Sequence, residues 1–212
     1  SFGSSYYSDF MLCPQYHHYA WDARLESLQD KLSLVKGTAI HAALNAWYRS
    51  IGSTYEERQD AAVEALMKVI DESTIVEKAD LYDALTTVFL EYTIKYGNIE
   101  KDFDIVRSEV ESEIIINGAR FTFRIDQLVQ MNSRKLYYVM DTKTTSSKSF
   151  AQMYADVQNG IQYPGYVYGA SRITGTDVFG VITNGVRMLK NENQFDRDFS
   201  AITKDRLQEF EE

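Results

Sequence analysis

Cysteine occurs once in the 212 residues, at Cys13, and proline twice, at Pro14 and Pro164. One thiol cannot close a disulfide within the chain, and it cannot supply a four-cysteine zinc site or an iron–sulfur cluster by itself. Cys13 is read as a small buried apolar side chain. With so few prolines, no repeats and no low-complexity tracts, nothing marks an internal linker, and residues 1–212 are read as one domain. Also missing is any apolar run near the roughly 20 residues that span a bilayer, and the opening SFGSSYYSDF lacks the basic-then-apolar layout of a signal peptide. The expectation is a soluble, intracellular protein with no membrane partner. Positive charge is short as well: 22 Lys and Arg stand against 31 Asp and Glu, a net charge of −9. A uniformly acidic surface of that kind would repel a polyanion.

What is present is a chain with 44% hydrophobic and 25% charged residues, enough apolar material to fold around a core. The charge is also uneven. Between Gly118 and Lys148 the basic residues Arg120, Arg124, Arg134, Lys135, Lys143 and Lys148 face only two acids, Asp126 and Asp141. The acidic excess falls in the N-terminal half and in the tail.

The first hundred residues carry helical signals, in the stretches YSDFMLCPQYHHYAW, GTAIHAALNAWYRSI, TYEERQDAAVEALMKVIDE and DLYDALTTVFLEYTIKYG. In the third stretch Ala62, Ala65, Leu66, Val69 and Ile70 recur at helical spacing, and Gly97 closes the fourth. The period then changes to two. DIVRSEVESEIIING, ARFTFRIDQLVQM and KLYYVMDTKTT are rich in Ile, Val, Phe and Tyr and are separated by Asn117-Gly118 and Asn132-Ser133, so they read as three successive strands. Asn117-Gly118 is a strong hairpin signal. A helix over residues 150–172 follows, then two short strands at 177–184 and 186–191, then a closing amphipathic helix. Helices, a meander, a crossover helix and further strands predict an α/β fold: a mixed central sheet flanked by helices, with a helical N-terminal part over residues 1–100 and a sheet-containing core over 101–212.

The sharpest local feature is Asp141-Thr142-Lys143 near the end of a predicted strand. Residues two apart on a strand project to the same face, so a carboxylate and an ammonium share one site. Asp126, on the preceding strand of the meander, would stand beside Asp141. Two carboxylates and a lysine suit a hard divalent cation, which binds few carboxylates and takes phosphate oxygens as further ligands. Taken alone, D-x-K is a common tripeptide that also occurs as a solvated strand end.

In their order along the chain, SSYYSDFMLCPQY, GTAIHAAL with Gly37 and His41, FRID with Asp126, DTK with Asp141 and Lys143, and QYPGY with Gln162 and Tyr166 resemble the motif series of the PD-(D/E)XK nuclease superfamily. The resemblance is to the RecB-type exonuclease domain and its viral and CRISPR-adaptation relatives, and it covers most of the chain. It implies a restriction-endonuclease-like core and hydrolysis of DNA, at duplex ends or on single strands, with Mg²⁺ or Mn²⁺. Asp126, Asp141, Lys143, Gln162 and Tyr166 would be catalytic. His41, Asp126, Asp141 and the backbone carbonyl of Thr142 would hold the metal. On the residues alone, a helical histidine between Ile40 and Ala42 reads as a core residue; only the resemblance makes it a ligand. The resemblance also calls for a glutamate on the preceding strand, which Glu109 fits best and Glu111 next, though both read equally as the solvated face of SEVESE. His17 and His18 match no motif.

Two positions depart from the pattern. Pro164-Gly165 falls between Gln162 and Tyr166, which would share a helix face, so that helix is expected to begin near Tyr163 or to kink. Phe123 stands where many relatives have glycine. With Cys13 alone, the chain resembles the branch without an iron–sulfur cluster. The alternative is a catalytically inactive nucleic-acid-binding or assembly subunit that retained the fold.

Overall fold

The computed structural model describes residues 2–25, 30–97 and 102–211. Eight α-helices and five strands are found among them. The strands β1 (Phe103–Ile116), β2 (Ala119–Met131), β3 (Tyr137–Thr145), β4 (Val178–Met188) and β5 (Asn193–Ala201) form one mixed sheet in the order β1-β2-β3-β4-β5. All neighbouring strands are antiparallel except β3 and β4, which run parallel. A parallel pair needs a long crossover. It is made here by α6 (Phe150–Gln158) and α7 (Gln162–Thr174).

The β1–β2 hairpin turns at the expected place. Asn117 and Gly118 have φ of 49° and 82°, the two positive values that match a tight turn to the twist of the flanking strands. Val129, Met140 and Ile182 point to one face of the sheet, and their neighbours Leu128, Val139 and Val181 to the other, so each face carries its own apolar cluster.

On the first face lie α3 (Leu32–Arg49), α4 (Tyr55–Glu72) and α5 (Lys78–Tyr96), with Leu44, Trp47, Leu66 and Phe89 fully buried. Helix α4 starts with a capping box between Thr54 and Glu57 and buries Ala62, Leu66 and Ile70, four residues apart as the spacing requires. On the second face α7 buries Tyr163, Val167 and Ala170 against Phe121, Phe123 and Ile125, and Phe210 of α8 (Lys204–Glu211) closes that cluster.

Several expectations need correction. The first helical stretch is broken into α1 (Ser4–Leu12), α2 (Pro14–His17) and a π-helical turn, His18–Asp22, because Pro14 has no N–H to continue α1 and instead opens α2. Cys13 is exposed, not buried: it caps α2, its sulfur accepting the Tyr16 N–H at 3.5 Å. The single helix over 150–172 is two helices meeting at Asn159 to Ile161. The two short strands at 177–184 and 186–191 are one continuous strand, β4, and β5 was not anticipated. Among the described residues no helix is long and apolar enough to cross a membrane.

Candidate metal centre and cleft

The β2–β3 ladder ends at the pair Gln127–Met140. One step further the same register would set Asp126 opposite Asp141, but the strands part there, and the Thr142 N–H donates to Asp126 Oδ2 at 2.8 Å. On the other side of β2, Ser108 pairs with Gln127 and Val110 with Ile125, which leaves Asp126 and Glu109 outside the β1–β2 pairing as well. Asp126 therefore sits in a local opening of the sheet, with its carboxylate replacing a strand carbonyl as acceptor.

Helix α3 brings His41 to this opening, with Nδ1 3.2 Å from Asp126 Oδ2. The helix can come so near because Gly37, one turn earlier, has no side chain: a Cβ there would stand 2.9 Å from Thr144 Oγ1 on β3. Asp141 and Lys143 leave β3 toward α7, as residues two apart should, and Lys143 Nζ lies 2.8 Å from Asp141 Oδ2. Tyr163 of α7 donates to the same carboxylate oxygen at 3.3 Å and lies 2.7 Å from Thr183 Oγ1 on β4.

Helix α7 begins at Gln162, so Pro164 occupies its first turn, where a missing N–H breaks no helical bond. Gln162 and Tyr166 accordingly share a face, with Gln162 Nε2 donating to the Tyr166 hydroxyl at 2.6 Å.

His41, Asp126, Asp141 and Lys143 stand close enough for each charge to act on its neighbours. Burial raises the Asp141 carboxyl above the ordinary carboxylate range, outweighing the pull of Lys143, and the Asp126 charge pushes the same way. Burial acts on Asp126 too, but the His41 hydrogen bond and charge, the Thr142 N–H and Lys143 together outweigh it and hold that carboxyl below its usual range. At His41 burial opposes protonation, yet the Asp126 hydrogen bond with the Asp126 and Asp141 charges lifts the imidazole above its ordinary value. Burial and the nearby Asp141 charge push the Tyr163 and Tyr166 phenols up, so both remain O–H groups.

These side chains open on a cleft of about 790 Å³. His41, Asp126, Asp141, Lys143, Gln162 and Tyr166 line it, together with groups that had no site role assigned from sequence: Gly3 to Tyr6 at the start of α1, Trp21 of the π-helical turn, and Arg124. Alternation on β2 would have found Arg124, two residues before Asp126, but no local pattern marks Trp21. Glu109 does not line the cleft. Its backbone adopts φ 47° and its carboxylate pairs with Arg49 at 3.0 Å, whereas Glu111 lines the cleft and lies 3.6 Å from Arg124. Tyr163 was read in the sequence only as a helix start, although it lies between the two α7 residues that were chosen and bonds to Asp141. His17 is buried against the Tyr6 and Phe10 rings, and His18 is exposed beside Asp22.

Among the described residues no three His, Cys, Asp or Glu side chains stand as a ready metal-ligand set. Asp126 is turned to His41 and Thr142, and Asp141 to Lys143 and Tyr163. The donors nonetheless fit a hard divalent cation. Carboxylates Asp126 and Asp141, a backbone carbonyl at Thr142 and the His41 imidazole are oxygen and nitrogen donors of the right kind. The cleft also carries four carboxylates, Glu111, Glu113, Asp126 and Asp141, against Arg124 and Lys143, an excess that a dication would offset.

A mixed five-stranded sheet flanked by helices, with two strand-borne carboxylates and a lysine at a local opening between strands, defines the restriction-endonuclease-like class of α/β proteins. A model of the PD-(D/E)XK nuclease superfamily matches residues 2–211, and the chain belongs to that superfamily. No curated protein matches it. Among solved structures it is similar to the crystal structure of SSO0001, at 12% identity and a TM-score of 0.34, covering 96% of this chain and 82% of that one. A likeness that distant carries no weight for function.

Proposed function

We propose that this chain is a divalent-metal-dependent deoxyribonuclease of the RecB exonuclease type, hydrolysing phosphodiester bonds at DNA ends or on single strands. The observation that carries the reading is the meeting of Asp126, Asp141 and Lys143 at the point where β2 and β3 diverge, on the wall of a cleft. Membership of a nuclease superfamily supports a nucleic acid as substrate.

Asp126, Asp141, the Thr142 carbonyl and His41 would hold Mg²⁺ or Mn²⁺, which supplies charge neutralisation at the phosphate and a more acidic bound water. Lys143, fixed against Asp141 and one-quarter exposed, presents an ammonium that orients the attacking water and offsets charge building on the phosphate. The attacking water releases a proton to solvent as its oxygen bonds to phosphorus, the P–O bond of the ester breaks, and the leaving oxygen takes a proton from solvent. Tyr163 holds Asp141 from behind, and Gln162 with Tyr166 offers amide and phenol donors to the nucleic acid along the cleft wall.

The test is incubation with end-labelled single-stranded and duplex DNA, with and without Mg²⁺ or Mn²⁺, beside Lys143→Ala. Metal-dependent release of label by the wild type and not by the variant is the expected result, and resistance of closed circular DNA would mark exonuclease action. DNA binding without cleavage under every metal would instead identify an inactive subunit that kept the fold.

A further inference from the structure

Thr142 has a second set of partners, on the side of the sheet away from the cleft. It lies opposite Asn184 in the β3–β4 register, and Asn184 lies opposite Arg197 in the β4–β5 register. The three side chains are joined: Asn184 Nδ2 donates to Thr142 Oγ1 at 3.2 Å, and Arg197 Nε donates to Asn184 Oδ1 at 3.2 Å. With the Thr142 N–H given to Asp126, an unbroken polar row crosses four strands, from Asp126 on β2 to Arg197 on β5.

The far end of the row is anchored on two helices. Arg197 Nη2 donates to the hydroxyls of Tyr92 on α5, at 2.8 Å, and Tyr48 on α3, at 3.0 Å, and its guanidinium lies 3.9 Å from the centre of the Tyr96 ring. Tyr92 also donates to Asn184 Oδ1 at 3.0 Å, so that oxygen is held by two donors and its amide nitrogen is committed to Thr142. Tyr48, Tyr92, Thr142 and Asn184 are all at most 1% exposed.

Among the described residues Arg197 makes no ion pair, and it stacks on aromatic rings instead. Arg197 is only partly buried, yet its Nε and Nη2 are committed inward, to Asn184, Tyr92 and Tyr48. What Arg197 does there is fix a single amide, and through it a single threonine, whose peptide group forms one edge of the candidate metal centre.

We propose that Arg197 and Asn184 are positioning residues for the metal centre: they lock the Thr142 peptide, so that its N–H stays on Asp126 and its carbonyl stays in place for the cation. The inference rests on the metal-dependent nuclease reading for its consequence, but the locking itself is a property of the metal-free chain. Side chains that hold a metal ligand in place typically change metal affinity or activity by about 10- to 100-fold when removed.

The experiment compares wild type with Arg197→Met, Arg197→Lys and Thr142→Val, using Leu66→Ala in α4 as a control destabilised at a distance. One measurement is hydrogen exchange of the Thr142 amide by NMR in metal-free protein. The other is the Mn²⁺ concentration giving half the full thermal shift and half the full cleavage rate. Arg197→Met and Thr142→Val should both speed exchange of the amide at position 142 and raise half-saturating Mn²⁺ about tenfold. Arg197→Lys should recover part of the loss, and Arg197→Met combined with Thr142→Val should be no worse than the poorer single variant. Leu66→Ala should lower the melting temperature and move neither quantity. Variants that lose melting temperature but match wild type in exchange and in Mn²⁺ response overturn the proposal. If Arg197→Met does not fold, Thr142→Val and Arg197→Lys carry the same readouts. A wild type that neither responds to Mn²⁺ nor cuts DNA removes the nuclease reading, while exchange in the metal-free protein still decides whether Arg197 holds Thr142.

Discussion

Gly37 on α3 and Thr144 on β3 touch backbone to side chain, so closely that a Cβ at Gly37 would come within 2.9 Å of Thr144 Oγ1. His41 is one helical turn further along α3 and reaches Asp126 because of that contact. Gly37→Val should push α3 off the sheet and separate His41 from Asp126, with activity falling on the order of a hundredfold, as small displacements of reacting groups do. Gly37→Ala should lose less, and Gly37→Ala with Thr144→Ala should recover most of it, because the clashing oxygen is gone. Cleavage rates for the three variants decide this; a double variant no better than Gly37→Ala would sink the argument.

Tyr163 bridges the Asp141 carboxylate and the buried Thr183 hydroxyl. Tyr163→Phe keeps the ring and removes both bonds, leaving two buried polar groups short of a partner. The expected cost is about 1–3 kcal/mol of unfolding free energy, read from urea denaturation. Cleavage should fall as well, because Asp141 is then free to rotate toward Lys143 alone. Unchanged stability would mean that both groups find other partners.

The His41–Asp126 pair makes stability depend on pH in a direction that can be worked out. His41 is raised in the folded protein, so its contribution is fully present below the ordinary imidazole value of about 6.5 and is lost as pH rises through the raised value. Asp126 is lowered, so its contribution is present above the ordinary carboxylate value of about 3.9 and is lost as pH falls through the lowered value. In the presence of EDTA, the stability difference between wild type and His41→Gln should be largest between those limits and shrink on both sides. A difference that keeps growing above neutral pH would contradict the pairing.

A ligand that binds only the folded state stabilises it by mass action, by about 2.7 kcal/mol at one hundred times its dissociation constant. Mn²⁺ or Mg²⁺ should therefore raise the melting temperature of the wild type, and that rise should vanish in Asp126→Asn and Asp141→Asn. A calorimetric scan of each protein with metal and with EDTA is sufficient. Equal shifts in all three would place the cation elsewhere.

Much of this arrangement was legible in the sequence because it is local. Asn117-Gly118 fixes a hairpin, and the hairpin with its period of two aligns β1 and β2. Asp141 and Lys143 meet because they are two apart on β3. What was not legible depends on distant partners. Asn184-Gly185 reads locally as a turn, yet both lie inside β4: the Asn184 side chain is bonded to Thr142, Tyr92 and Arg197, and a Cβ at Gly185 would meet Met153, Phe150 and Tyr154 at 2.8 to 2.9 Å. The polar run of β5 carries no apolar alternation to announce a strand, since Asp196 and Asp198 bond to Tyr154 and Gln158 of the crossover helix and Arg197 turns inward. The resemblance put Glu109 ahead of Glu111, yet Glu109, at the break in pairing opposite Asp126, pairs with Arg49 instead.

Phe123 stands where the motif series that this chain resembles often has glycine, and the space it needs is supplied by α7. A Cβ added at Gly169 would come within 2.5 Å of the Phe123 ring, so the small residue is on the helix and the large one on the strand. Gly169→Ala gains about 1 kcal/mol of helix propensity in isolation. Against the Phe123 ring it should still destabilise the protein by about 1–3 kcal/mol, the usual cost of overpacking a filled core. Phe123→Leu alone should leave a small cavity and also destabilise. The double variant should be more stable than the sum of the two losses, because each change makes room for the other. Since α7 carries Gln162, Tyr163 and Tyr166 to the cleft, Gly169→Ala should lower cleavage and the double variant should restore part of it. A double-mutant cycle by urea denaturation, with cleavage rates beside it, tests both claims; strictly additive losses would show that Gly169 and Phe123 do not share that space.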